Sequence, residues 1–117
     1  MYYSQTVLFI EQPIFTKLLT ELVDDDAYRR FQNELGANPQ KGPVVKGSGG
    51  LRKIRMRLPG RGKSSGARVL YLWFPRQEAI VLYFIYTKGE MEDIPAAKMK
   101  EIKREVQRIK ESFGQRD

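Results

Sequence analysis

The sequence predicts an α+β domain: an antiparallel sheet of four to five strands, two N-terminal helices and one long C-terminal helix. Three observations predict it. Short blocks rich in β-branched and aromatic residues, or with alternating apolar positions, recur at residues 6–10, 53–58, 68–74 and 79–86, as strands require. Apolar residues at steps of three and four follow Pro13, the triplet Asp24, Asp25 and Asp26, and Pro95, as amphipathic helices require. The chain has 117 residues, 41% of them hydrophobic, which suits one domain, 1–117, with a single modest core.

Residues 6–10, Thr-Val-Leu-Phe-Ile, form the first expected strand. Pro13 suits the first turn of a helix, where its missing N–H costs nothing. Ile14, Phe15, Leu18, Leu19 and Leu22 then make the stripe of a helix packed on one side. The aspartate triplet supplies an N-cap and acids favoured by the positive end of the next helix dipole. A metal site is the weaker reading, because adjacent side chains at a helix start diverge. This second helix carries Tyr28, Phe31 and Leu35 and is expected to stop at Gly36, before Asn38-Pro39.

Residues 41–50 read as a turn-rich connector with room for a short strand at Val44-Val45. From 53 to 58 the alternation is strict, with Lys53, Arg55 and Arg57 on one face and Ile54, Met56 and Leu58 on the other. Residues 59–67 contain three glycines, two serines and two cations, the makings of an exposed, mobile loop between antiparallel strands. A hairpin pairing Arg57 near Arg68 puts Lys53, Arg55, Arg57 and Arg68 on one face, and a one-residue slip sends Arg68 to the other; the shared face is expected. Residues 68–74 form the next strand, and 79–86, almost wholly apolar, belong at the sheet's centre. The last helix opens at Ile94-Pro95, buries Met99, Ile102, Val106, Ile109 and Phe113, and ends at Gly114. Its basic outer face reads as a solvated surface.

The net charge is +7, from 21 Lys and Arg against 14 Asp and Glu, and it is regional. Ten cations lie between Leu35 and Gln77 without one acid among them: Lys41, Lys46, Arg52, Lys53, Arg55, Arg57, Arg61, Lys63, Arg68 and Arg76. The rest of the chain is slightly acidic. A merely solvated face mixes both signs, so the segment points to a polyanion, and nucleic acid above all. Lys53, Arg55, Arg57 and Arg68 are expected to form a cationic plate, with Arg52 and Tyr86 in reach of bound RNA and Arg61 and Lys63 as a clamp on the loop.

The chain has neither cysteine nor histidine. That excludes disulfides, thiolate sites and cysteine nucleophiles, and removes the commonest general acid/base and metal ligand. The longest apolar run, residues 79–86, is far short of a membrane span, and the N-terminus lacks the basic start of a signal peptide. A cytoplasmic protein with no membrane partner is expected. RNA carries its own nucleophile, so a cationic plate can promote its cleavage by holding the backbone in line and stabilising the phosphorane. No cofactor or metal is needed for that. Proton transfer falls to a lysine, a tyrosine or Glu90.

The residues that carry these features resemble a known family. Phe9-Ile10-Glu11, Asp25-Asp26-Ala27-Tyr28-Arg29-Arg30-Phe31-Gln32, Asn38-Pro39, Gly47-Ser48-Gly49-Gly50-Leu51-Arg52-Lys53-Ile54-Arg55, Gly60-Arg61-Gly62-Lys63 and Arg68-Val69-Leu70-Tyr71 look like the HigB toxins of the RelE superfamily, from type II toxin–antitoxin systems. The resemblance implies a RelE-like fold and a ribosome-dependent endoribonuclease that cuts mRNA in the decoding site and inhibits translation. It implies a cognate HigA-like antitoxin, typically with a helix-turn-helix domain, and contact with operator DNA only through that complex. The family's basic pair falls on Lys53 and Arg55 and its phosphate-binding arginine on Arg68. Its later arginine and C-terminal tyrosine fall on Gly89 and Pro95, which leaves Lys88 and Glu90 as the nearest groups able to move a proton, with Tyr86 or Tyr71 behind them. Tyr71 reads more readily as a core tyrosine. Two other readings stand beside this one: a ParE-like poison of DNA gyrase on the same fold, and an RNA-binding module without catalysis.

Overall fold

The structure is a computed structural model that describes residues 7–58, 66–87 and 93–114. In chain order it contains β1 (Leu8–Glu11), α1 (Pro13–Leu22), α2 (Asp25–Ala37), β2 (Arg52–Met56), β3 (Ala67–Phe74), β4 (Ala79–Thr87) and α3 (Ala96–Ile109). Most of the expected loop between β2 and β3, with Arg61 and Lys63, lies outside the described residues, as do Lys88 and Glu90. Among the described residues no helix is long and apolar enough to cross a membrane.

The four strands form one sheet in the order β1-β4-β3-β2. The pairs β2–β3 and β3–β4 are antiparallel, while β1 runs parallel to β4. The sheet is therefore mixed, where an antiparallel one was expected. A parallel pair needs a long crossover, and the excursion through α1, α2, β2 and β3 supplies it. Period-two patterning says that a strand exists and which face it buries, but nothing of the direction of a partner so far along the chain.

Each face of the sheet has its own core. On one, Phe15 and Leu19 of α1 and Phe31 and Leu35 of α2 cluster with Val69, Tyr71, Ile80, Leu82 and Ile85. On the other, Val106 of α3, with Ile102, Ile109 and Phe113, joins Leu70, Leu72, Phe74 and Val81. The helix starts follow the sequence logic: Pro13 stands at the start of α1, and Asp24 Oδ1 accepts the Ala27 N–H at 2.8 Å, with Asp25 and Asp26 in the first turn of α2. That helix ends at Ala37, one residue beyond Gly36. At the far end, α3 passes into a π-helical turn over Lys110–Gly114.

The connector before β2 fastens the sheet edge to α3. The expected short strand is reduced to one bridge between Val44 and Arg52. Ser48 is fully buried; its hydroxyl donates to the Val45 carbonyl at 2.6 Å and accepts the Leu51 N–H at 3.0 Å. Gly49 has φ +84°, a backbone conformation that favours glycine, and a Cβ there would lie in contact with Val106 Cγ1 at 3.4 Å. The Lys110 ammonium donates to the Gly49 carbonyl. The glycine-rich stretch is thus a docking turn for α3.

Candidate nucleic-acid interface

The register of the β2–β3–β4 ladder assembles the site. Arg55 is opposite Arg68, which is opposite Tyr86; one step along the same face, Lys53 is opposite Leu70, which is opposite Phe84. Residues directly opposite in an antiparallel pair project to the same side, so Lys53, Arg55, Arg68 and Tyr86 share a face. The partner of Arg68 is Arg55 rather than Arg57, and because this shift is two residues the parity of the face survives. The face is the one that α3 covers at its other end, over Leu72 and Phe74. Arg57, one residue past β2, is exposed, and Leu58 is buried, so the alternation continues beyond the ladder.

Two guanidinium groups set directly across a ladder repel each other and destabilise the pair. Among the described residues no acid offsets that cost: Arg55 has no partner there, and Arg68 has only a long hydrogen bond, 3.4 Å, to the Gly66 carbonyl. Gly66 allows the strands to close at this point: a Cβ on it would stand 2.9 Å from the Met56 carbonyl oxygen and 3.5 Å from Arg55 Cγ. The neighbouring cation, Lys53, faces the Asp93 carboxylate at 3.7 Å, and Asp93 is highly exposed.

Tyr86 completes the row. Only 3% of it is exposed, yet among the described residues its hydroxyl has no hydrogen-bond partner, an arrangement that costs about 1–3 kcal/mol. Burial pushes the phenol pKa up, the Arg68 charge pulls it back, and the Asp93 carboxylate pushes it up again. The hydroxyl therefore feels both the Arg68 charge and the carboxylate that, among the described residues, pairs with Lys53.

Arg52, expected among the RNA contacts, is on the opposite face and is engaged in structure. Its Nη1 donates to the carbonyls of Gln40 at 3.1 Å and Gly42 at 2.7 Å. Its register partner is Tyr71, whose hydroxyl donates to the Pro39 carbonyl at 2.7 Å and accepts the Gly42 N–H at 3.0 Å. Gly42 is packed so closely that a Cβ would stand 2.7 Å from the Lys53 carbonyl oxygen. Tyr71 is therefore a core tyrosine that braces the 39–42 connector.

Asp93 is the residue that sequence reasoning missed. It reads locally as an acid just before a helix, and nothing in its surroundings announces a lysine 40 positions earlier. Beside the plate, a cavity of about 250 Å³ opens between α3 and the sheet, lined by Leu70, Tyr83, Phe84, Ile94 and Ile102 among others. It is predominantly apolar and is not lined by Lys53, Arg55 or Arg68, so the cationic row lies outside it.

Fold and site together define a small α+β domain that displays an arginine pair, a lysine and a buried tyrosine on one face of a mixed sheet. No family model matches the chain. Among solved structures, the E. coli toxin RelE, in a mutant form in the free state, aligns with a TM-score of 0.55 and 14% identity over 87% of this chain and 96% of that one. The chain has a RelE-like fold, and at that identity the likeness is one of fold.

Proposed function

We propose that this protein is the toxin of a type II toxin–antitoxin pair, of the HigB kind, and that it is a ribosome-dependent endoribonuclease acting on translated mRNA. The observation that carries the reading is the Arg55–Arg68 pair. A stable sheet gains nothing from opposing guanidinium groups, whereas a phosphate bridging them converts repulsion into two charge-assisted interactions. The likeness of fold to a named toxin supports the same reading.

In this reading Arg55 and Arg68 hold the scissile phosphate and stabilise the extra charge of the phosphorane. Lys53 adds a third cation, and the free hydroxyl of Tyr86 gains the partner it lacks. Arg57, with Arg61 and Lys63 from the segment between β2 and β3, carries the backbone on either side. The attacking group is the RNA's own 2′-hydroxyl, the reaction needs no metal, and the products are a 2′,3′-cyclic phosphate and a 5′-hydroxyl. A HigA-like antitoxin controls the activity, and operator DNA is met only through that complex.

The test is a cleavage assay with translating ribosomes, read by primer extension, on the wild type and on folded Lys53→Ala and Arg68→Ala variants. Discrete cuts within translated frames are expected from the wild type, with about 10²–10³-fold slower cutting in each variant. Uncut messages with induced DNA damage would instead identify a gyrase poison. Salt-sensitive RNA binding without cuts would identify a plain binding module.

A further inference from the structure

We infer that Asp93 is the catalytic base of this site, its carboxylate taking the proton of the attacking 2′-hydroxyl. The assignment rests on the nuclease reading above and fills the role which that reading leaves empty. A chain without histidine must find its proton acceptor among other groups. Asp93 Oδ1 lies 3.7 Å from Lys53 Nζ, and its charge is felt at Tyr86 on the Arg55–Arg68 row. With 89% of its side chain exposed, the carboxylate is open to an incoming ribose. The separation from Lys53 is longer than a direct hydrogen bond, so both groups remain available to a substrate lying across them.

The proton balance closes on these two groups. The 2′-hydroxyl gives its proton to the Asp93 carboxylate as its oxygen forms the bond to phosphorus. The bond from phosphorus to the 5′-oxygen then breaks, and that oxygen takes a proton from the Lys53 ammonium. The neutral carboxylic acid and neutral amine that remain are neighbours, and transfer of one proton between them restores the starting pair.

Two plainer roles compete. As an acid just before α3, Asp93 would serve only the helix start; as a counter-ion, it would hold Lys53 back from RNA and act as a brake. Asp93→Asn separates the three, because it removes one negative charge from a surface that must accept phosphate. Cleavage on ribosomes is measured together with affinity for mRNA carrying a 2′-deoxy nucleotide at the cut position, which binds but cannot be cut. The expected result is cleavage about 10²–10⁴-fold slower, with affinity equal to or higher than that of the wild type and thermal unfolding near the wild-type value. Asp93→Ser, which keeps a good acceptor for a helix start, is expected to lose as much. Either folded variant cutting at the wild-type rate, or faster, overturns the assignment and leaves the nuclease reading intact. A wild-type protein that cuts nothing overturns the nuclease reading itself.

Discussion

Two rows of the same ladder use the same residue types to opposite ends. Arg52 is opposite Tyr71, and three positions along β2 Arg55 is opposite Arg68 with Tyr86 behind it. In the first row every polar group has a protein partner: the guanidinium holds two carbonyls and the phenol is both donor and acceptor. In the second, two guanidinium groups oppose each other and, among the described residues, a buried phenol is unpaired. Paired groups stabilise the fold, and in the proposed function the unpaired ones meet a substrate.

The sharpest test of the contrast is to remove an arginine from each row. Arg68→Ala is expected to slow cleavage about 10²–10³-fold while unfolding near the wild-type midpoint or above it, since a repulsive pair is relieved. Arg52→Ala is expected to do the reverse, lowering stability by about 1.5 kcal/mol through the lost carbonyl contacts and leaving the rate per folded molecule unchanged. Urea unfolding beside the cleavage assay reads both. Comparable rate losses in the two variants would erase the distinction between the rows.

The tyrosines repeat the test at smaller amplitude. Tyr71→Phe strands the Gly42 N–H and the Pro39 carbonyl and is expected to cost about 1–3 kcal/mol. Tyr86→Phe removes a hydroxyl that has no partner, so its stability is expected to equal or exceed the wild type, with cleavage falling about tenfold through one lost hydrogen bond to a charged group. A Tyr86→Phe protein that is less stable and fully active would show the hydroxyl to be part of the fold.

Much of this was legible in the sequence. Strand blocks, helix stripes, the Asp24 cap and the shared face of Lys53 and Arg55 depend on local periodicity, which a sequence displays directly, while the side taken by Arg68 rested on the expected hairpin register. Arg52 was expected among the RNA contacts although it has the parity of buried Met56 rather than that of Lys53; the run of cations hid the period-two pattern that separates it from Arg55. Two features were not legible in the sequence. The parallel β1–β4 pair and the Lys53–Asp93 approach join residues far apart in the chain, and local pattern carries no trace of a partner that only the folded topology supplies.

The smallest expected effect is on alkaline stability, and it again divides the rows. Burial raises the phenol pKa of Tyr71 and of Tyr86 above the ordinary value of 10.0. Above about pH 10 the unfolded chain loses these protons before the folded one does, so it binds fewer protons and stability falls as pH rises; below that range the contribution is fully present. At Tyr71 the opposing influences are the Gly42 N–H bond and Arg52, while at Tyr86 Asp93 adds to burial and Arg68 alone opposes it. Each Tyr→Phe substitution should therefore flatten the alkaline fall of stability, measured by urea unfolding between pH 9 and 11. Adding Arg68→Ala, which removes the charge that favours phenolate, should steepen it only where Tyr86 is still present. An equal steepening in the Tyr86→Phe background would mean that Arg68 does not act on that hydroxyl, and the second row would lose its coherence as one electrostatic unit.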